Sequence, residues 1–244
     1  MTDLINNLIE YVNNQNQRII NLEHNFNKIN LTVDLLKNIN KSYSQYNQDL
    51  FVLKYLNNLN NGFFVDFGAT DGITLSNSYL LEKNYNWKGI LAEPAKLWHQ
   101  NLFTNRQVHI DTRCVWTNSN QLINFSESST AELSTITKFI SSDIHSKHRN
   151  ENNIIYDVMT ISLNDLLEFY NAPTTIDYLS IDTEGSEFSI LNVFNFDKYR
   201  FRVITVEHNW TSNRDKLYEL LSSRNYKRVH FNLTDCDDWY VYNF

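Results

Sequence analysis

The stretch from Phe63 to Gly72, FFVDFGATDG, joins an apolar run to a turn that contains two glycines. The run is bulky and apolar, which is typical of a fully buried strand, and Asp66 stands near its end. Gly68 and Gly72 let the backbone bend where a ligand or a following helix comes close. This combination indicates a nucleotide-cofactor cradle.

A second acid follows at an informative distance. The run GILAEP, residues 89–94, predicts another buried strand, which ends at Glu93 about 20 residues beyond the glycine turn. A carboxylate at this spacing binds the ribose diol in nucleotide-binding βαβ units. The residues after Gly68 depart from the dinucleotide pattern GxGxxG, so a tightly held pyrophosphate is disfavoured. A ligand with a ribose and no phosphate fits better, and S-adenosylmethionine is the common one.

Three blocks of the chain resemble the FkbM family of S-adenosylmethionine-dependent O-methyltransferases. They are SQYNQDLFV (Ser44 to Val52), the segment from Gly62 to Pro94, and IDYLSIDTEGSEFSIL (Ile176 to Leu191), and they occur in the family's order. The resemblance covers residues 42–244 and leaves a separate N-terminal segment, residues 1–40. It implies a class I methyltransferase fold, an α/β Rossmann-like doubly wound sheet with an antiparallel last strand, here preceded by an N-terminal helix.

The resemblance also implies where S-adenosyl-L-methionine binds. Residues at the first two strand ends would hold it, with two more at the pocket rim: Asp66, Gly68, Ala69, Gly72 and Glu93, then Gln48 and Asp49. Glu93 would accept hydrogen bonds from the ribose hydroxyls. Asp66 would orient the glycine turn or meet the methionine part, and the structural alternative is that Asp66 caps a helix over Thr74 to Lys83.

The elements that must position these residues alternate along the chain. Helices are predicted at Ser76 to Lys83, Ala95 to Asn105 and Ser162 to Tyr170, the last with a serine at its cap position. Strands are predicted at Phe63, at Ile90, near Val108, and at Arg113 to Trp116, Leu122 to Phe125, Ile154 to Ile161, Tyr178 to Ile181, Val203 to Val206, Arg228 to Phe231 and Trp239 to Tyr242.

Ligands in an open sheet gather at the carboxyl ends of the strands, where two more groups of polar residues occur. Asp182 follows the strand that begins at Tyr178, and Glu207 and His208 follow the strand that begins at Val203. Methyl transfer requires an acceptor oxygen that is aligned with the methyl group and relieved of its proton. Asp182, Glu207 and His208 are therefore the catalytic candidates. As the base, His208 is favoured by its intrinsic pKa and Asp182 by its position.

A metal is the alternative way to activate an acceptor hydroxyl. Asp182, Glu207 and Asn209 offer oxygen ligands at two adjacent strand ends, an arrangement that resembles the magnesium site of catechol O-methyltransferase. A divalent metal such as Mg would acidify the hydroxyl there. The structural alternative assigns Glu184 and Glu187 to capping the next helix and pairs Glu207 with a nearby base.

The sequence gives fewer indications of the methyl acceptor than of the cofactor. Trp210 can stack on a sugar ring or fill the edge of the core. The polar segment from Ser126 to Asn153 is typical of a lid or insertion over the site. Members of the family often methylate saccharides, so the expected acceptor is a saccharide hydroxyl in glycan or glycolipid assembly. A polyketide or other small alcohol, a non-catalytic scaffold of a glycan-assembly complex and an NAD-dependent enzyme are the alternatives.

The N-terminal segment has a heptad pattern. Apolar residues alternate in steps of three and four from Ile5 to Leu36, with β-branched residues at most a positions and leucine at most d positions. This pattern predicts a coiled coil and a homo-oligomer formed through residues 5–36. The alternative is a helix that packs on its own catalytic domain.

Composition limits the remaining choices. The 244 residues carry a net charge of −7, which gives no basic surface for nucleic acid and leaves small-molecule or glycan acceptors open. The sequence contains two cysteines, no apolar run long enough for a membrane span and no signal-peptide core. The expected location is the cytoplasm.

Overall fold

The computed structural model describes residues 12–13, 15–19, 41–149, 152–230 and 234–244. The chain divides into two compact units, Met1–Lys41 and Ser42–Phe244. In the first unit, residues 12–13 and 15–19 are helical, and the side chains of Val12 and Ile19 are 51% and 52% exposed. Most of the predicted coiled coil lies outside the described residues, so the homo-oligomer stays a prediction.

Eleven strands are present in the described part of the second unit. They are β1 (Phe63–Phe67), β2 (Lys88–Ala92), β3 (His109–Asp111), β4 (Cys114–Trp116), β5 (Leu122–Glu127), β6 (Thr135–Ile136), β7 (Ile154–Ser162), β8 (Thr175–Ile181), β9 (Arg200–Glu207), β10 (Tyr226–Val229) and β11 (Asp237–Tyr242). The predicted strands are thus present with ends shifted by up to three residues, and the two-residue β6 is an addition.

Seven of these strands form the main sheet, in the order β3-β2-β1-β8-β9-β11-β10. Within this sheet the pairs β3–β2, β2–β1, β1–β8 and β8–β9 are parallel, whereas β11 runs antiparallel to both β9 and β10. The chain order reverses between β1 and β8, which is where open sheets of this kind bind ligands. The expected class I methyltransferase fold with an antiparallel last strand is confirmed.

The central strands are apolar because both faces of the sheet are covered. Phe64 and Val65 of β1 and Ile90 and Leu91 of β2 have no exposed surface. Phe67 pairs with Ala92 on one side and with Ile181 on the other, so β1, β2 and β8 end side by side. The acids that follow these strands consequently meet at one edge of the sheet.

The described helices of the second unit are α1 (Gln48–Tyr55), α2 (Tyr79–Tyr85), α3 (Lys96–Asn105), α4 (Ser146–Arg149), α5 (Leu163–Phe169), α6 (Glu187–Asn192) and α7 (Asn213–Ser223). The predicted cap of α5 is confirmed, because the Ser162 hydroxyl accepts a hydrogen bond from the backbone N–H of Asp165 at 3.1 Å. Helix α2 begins three residues later than predicted. The Ser76 hydroxyl accepts from the N–H of Tyr79 at 3.1 Å and holds the preceding residues in a turn.

Helix α1 gave no amphipathic signal because residues 48 to 53 are buried on all sides. Its Phe51 ring stacks on Trp239 of β11, with ring centroids 4.4 Å apart. This packing places the SQYNQD block beside the end of the main sheet.

The remaining strands form a second sheet, in the order β4-β7-β5-β6, which the sequence patterns did not indicate. Between β5 and β7 the chain contains β6, two short 3-10 turns and α4. This stretch corresponds to the predicted lid. Among the described residues, no helix is both long and apolar enough to cross a bilayer.

Candidate active site

A cavity of about 320 Å³ lies at the carboxyl ends of β1, β2, β8 and β9. It brings together most of the residues singled out from the sequence, although these come from distant parts of the chain. Those that line it are Gln48, Asp66, Gly68, Ala69, Glu93, Asp182, Glu207, Asn209 and Trp210. Asp49, Gly72 and His208 do not line it.

Gly68 is required by the approach of the next strand rather than by a ligand. Its φ is +80°, and a Cβ built there would lie 1.9 Å from the carbonyl oxygen of Asp182. Its N–H donates to the carbonyl of Ala92 at 3.0 Å. Gly68 therefore lets the ends of β1, β2 and β8 meet, which forms the floor of the cavity.

Glu93 is a buried carboxylate held by the backbone. One of its oxygens accepts from the N–H of Thr70 at 2.9 Å and the other from the N–H of Ala95 at 2.8 Å. Burial raises the pKa of Glu93 to about 7, although these two hydrogen bonds lower it. A carboxylate has about four acceptor sites, so two remain for hydroxyl donors in the cavity.

An apolar wall adjoins Glu93. It combines residues of α3 and of the second sheet with the end of β2: Ala92, Pro94, Trp98, Cys114, Val115, Phe125 and Ile136. Most of these side chains are buried, and Ala95, Cys114, Phe125 and Ile136 belong to one small core cluster. The wall is suited to a flat, apolar ring system.

Asp66 contacts the start of a helix while it also faces the cavity. It accepts a 2.6 Å hydrogen bond from the hydroxyl of Ser78, the residue that precedes α2. Ser78 in turn accepts from the buried guanidinium of Arg106 at 3.0 Å. Burial raises the pKa of Asp66, and the hydrogen bond from Ser78 opposes that rise. Asp66 thus contacts the residue before α2 through a side-chain hydroxyl, which is not the helix cap considered as the structural alternative, because a cap accepts from a backbone N–H of the helix.

Three carboxylates converge at the other end of the cavity. One oxygen each of Asp182, Glu184 and Glu207 lies within 4.8 Å of the others. The register of β8 on β9 brings Asp182 and Glu207 together, because Ile181 pairs with Val206 and the next residues are Asp182 and Glu207. Burial and the neighbouring negative charges raise the pKa of all three groups.

Glu184 was predicted to cap a helix, and that assignment is wrong. Its φ of +59° turns the side chain toward the cavity, where it binds the guanidinium of Arg149 and accepts from Asn209 Nδ2 at 3.1 Å. Glu187 has the structural role, since its Oε1 accepts from the N–H groups of Thr183 and Gly185 at 3.0 Å each. The partnership with Arg149 had no sequence signal, because the two residues are 35 positions apart.

His208 does not fit the role of a base. Its Nδ1 accepts from the backbone N–H of Trp210 at 3.1 Å, and its Nε2 lies 3.8 Å from Asp238, away from the cavity. Burial lowers the pKa of His208 to about 4, against the opposing charge of Asp238. The argument from intrinsic pKa fails because it ignored this burial.

Asp49 and Gly72 also have structural positions rather than cofactor contacts. The Asp49 carboxylate accepts from the Ser42 hydroxyl at 2.6 Å and from the N–H of Tyr43 at 3.0 Å, which orders the turn before α1. A Cβ at Gly72 would lie 2.6 Å from the side chain of Arg106. Gly72 therefore lets the end of helix α3 come close to the turn, and the expectation that a helix approaches this glycine explains it better than a ligand does.

The lid and Trp210 complete the rim of the cavity. Lid residues Ala131, Glu132, Leu133, Ile144 and His145 line it. The Trp210 side chain is 56% exposed, and its backbone φ of +55° is unusual for a bulky residue. A strained, exposed aromatic residue at a cavity rim is typical of a binding surface.

The lining is acidic. No Lys or Arg side chain is among the described residues that line the cavity. Seven carboxyl groups line it, those of Asp66, Glu93, Glu132, Asp182, Glu184, Glu207 and Asp235. Such a lining favours cationic and hydroxyl-rich ligands over phosphates.

Several solved structures are similar to the chain. A precorrin-6y C5,15-methyltransferase from Geobacter metallireducens is 12% identical, with a TM-score of 0.41 over 79% of this chain and 85% of that one. A putative RNA methyltransferase from Pyrococcus horikoshii is 10% identical, with a TM-score of 0.42 over 82% and 83%. A fibrillarin/Nop5p complex is 12% identical, with a TM-score of 0.35 over 75% and 73%.

These likenesses are remote, and no curated protein is similar enough to count as a match. The family model described as "Methyltransferase FkbM domain" matches residues 66–237. This range begins at Asp66, near the end of β1, and extends to Asp237, the first residue of β11. Because it spans more than half of the 244 residues, the chain belongs to the FkbM family of methyltransferases.

Proposed function

We propose that this methyltransferase uses S-adenosyl-L-methionine to methylate a hydroxyl of an uncharged acceptor, a saccharide of a glycan or glycolipid. The observation that carries the proposal is the division of one cavity into two ends. One end has an apolar wall beside Glu93, and the other has the carboxylates of Asp182 and Glu207.

The residues present fit the cofactor. Glu93 has free acceptor sites for the ribose hydroxyls, and the apolar wall around Trp98 and Val115 suits the purine. Asp66 and the backbone at Gly68 lie where the methionine part would bind. The acidic lining complements the positive charge of a sulfonium and an ammonium group. When bound, the cofactor supplies an electrophilic methyl group.

The acceptor end must orient a hydroxyl and take its proton. Asp182 and Glu207 lie at adjacent strand ends, and their raised pKa values make them better proton acceptors than ordinary carboxylates. Trp210 offers an exposed ring on which a sugar can stack. The absence of Lys and Arg from the described lining disfavours a phosphorylated acceptor.

Calorimetry with S-adenosylmethionine, S-adenosylhomocysteine and NAD tests the cofactor. We expect the first two to bind and NAD to fail, because the described lining of the cavity offers no Lys or Arg side chain for a pyrophosphate. Glu93→Gln should weaken binding about tenfold or more by removing charged acceptors for the ribose. Glu219→Gln, at an exposed acid of α7 that does not line the cavity, is the matched control. Undiminished affinity in Glu93→Gln would remove the ribose assignment.

A panel of acceptors tests the second half of the proposal. Neutral glycosides should be methylated, while the same sugars carrying a phosphate or a nucleotide should not. Transfer is measured from a radiolabelled methyl group. Preference for the phosphorylated sugars would contradict the proposed acceptor class.

A further inference from the structure

Two buried oxygens at the acidic end of the cavity have no hydrogen-bond donor among the residues that the structure describes. They are Glu207 Oε2 and Asn209 Oδ1, on side chains that are 7% and 4% exposed. A buried acceptor without a partner is destabilising, so such atoms are rare unless they serve a ligand. Both residues line the cavity.

The same place concentrates acidic groups. The carboxylates of Asp182, Glu184 and Glu207 converge within 4.8 Å, and Glu187 adds a fourth nearby charge. Arg149 is hydrogen-bonded to this group, but its guanidinium also binds Asp143 at 2.8 and 2.9 Å. Its positive charge is therefore shared between Asp143 and the cluster.

We propose that Asp182, Glu184, Glu207 and the amide oxygen of Asn209 bind one hard divalent cation such as Mg²⁺ or Mn²⁺. All four groups offer oxygen, which these ions prefer. The Asn209 amide is oriented for this purpose, because its Nδ2 donates to Glu184 at 3.1 Å and its Oδ1 has no donor in the described part of the chain.

The spacing of the oxygens suits such an ion. Opposite ligands of an octahedral Mg²⁺ are about 4.2 Å apart, and those of a larger hard cation are about 5 Å apart. Separations of no more than 4.8 Å among the three carboxylates thus need little rearrangement.

The backbone supports the same arrangement. Glu184 and Asn209 both have positive φ, +59° and +44°. This conformation is strained for glutamate, and such strain concentrates at ligand sites. The side chains are consequently held toward the cavity by the turns that follow β8 and β9.

The role of the ion rests on the proposed methyl transfer. An acceptor hydroxyl bound to the cation would have a lower pKa and would lose its proton more readily. Glu184, which the sequence assigned to a helix cap, becomes the third carboxylate of the site.

Binding of Mn²⁺ to the full chain, stripped of metal with EDTA and then dialysed, tests the site directly. Electron paramagnetic resonance counts free Mn²⁺, and we expect one ion bound per chain. Glu207→Gln and Asp182→Asn should each weaken binding about tenfold or more. Glu132→Gln, which removes an exposed acid of the same cavity, should bind as the unsubstituted protein does. Circular dichroism checks that each variant is folded.

Three results would overturn the site: no Mn²⁺ bound at about 1 mM, equal binding in folded Glu207→Gln, or equal losses in Glu132→Gln. Calorimetry of S-adenosylmethionine in EDTA separates this proposal from the preceding one. Retained cofactor binding with no Mn²⁺ bound refutes the cation site alone and leaves Asp182 and Glu207 to act as the base. Bound Mn²⁺ without cofactor binding refutes the proposed function alone.

Discussion

Replacement of Glu93 by glutamine should change how stability depends on pH. Burial raises the pKa of Glu93 from 4.5 to about 7 in the folded protein. Because the folded pKa is the higher one, Glu93 favours folding most below pH 4.5, and this contribution is lost as the pH rises to about 7. The loss amounts to about 3 kcal/mol, at 1.36 kcal/mol for each pKa unit.

The glutamine variant lacks this titration. Its amide group must face one of the two backbone N–H groups that Glu93 now binds, which costs about 1–3 kcal/mol at every pH. Glu93→Gln should therefore be the less stable protein near pH 5. Its relative stability should improve by about 3 kcal/mol by pH 8, where it equals or exceeds the original.

Urea unfolding between pH 4.5 and 8 measures this difference, with Glu132→Gln as the control for loss of a cavity acid. The other buried carboxylates titrate in all three proteins, so their contributions cancel in the comparison. A constant difference between Glu93→Gln and the original protein across this range would refute the reasoning.

The same titration should appear in cofactor binding. Ribose hydroxyls donate to the charged form of Glu93, so the affinity for S-adenosylmethionine should rise with pH and level off near pH 7. The slope can reach about tenfold for each pH unit. Calorimetry at several pH values should show this slope in the original protein and not in Glu93→Gln.

Three further predictions follow from backbone geometry and from the heptads. Gly68→Ala should lower the free energy of unfolding, measured by urea denaturation, by about 3 kcal/mol, because the new methyl group would overlap the carbonyl oxygen of Asp182 and the φ of residue 68 is positive. A loss below about 1 kcal/mol would contradict this prediction. Trp210→Gly should be about 1 kcal/mol more stable than Trp210→Ala in the same assay, because only glycine adopts the positive φ without strain, and equal stability of the two would show that the turn is not strained. Both variants should raise the KM for the acceptor. If residues 1–40 form the predicted coiled coil, the full chain should be an oligomer in light scattering and the chain without these residues a monomer; an equal number of chains per particle in the two would refute the coiled coil.

Local patterns were sufficient for the first half of the site. The apolar runs that end at Asp66 and Glu93 encode buried parallel strands, because strands covered on both faces need apolar side chains at every position. The serine cap of α5 was predictable because it depends on neighbouring residues alone, whereas the need for glycine at position 68 comes from the distant carbonyl of Asp182. Helix α1 was not predictable, because its burial on all sides removes the amphipathic stripe.

The second half of the site depended on tertiary structure. Asp182 meets Glu207 only through the register of β8 on β9, and Glu184 joins them through a positive φ and a guanidinium 35 residues away. His208 is adjacent to Glu207 in the chain, yet it faces Asp238 on β11. Sequence alone determined which strands end in acidic residues, because the apolar runs that mark buried strands and the order of strands and helices can be recognised in short segments. The fold decided which of those acids share a cavity, because side-chain direction beyond a strand end is set by neighbours that are distant in the chain.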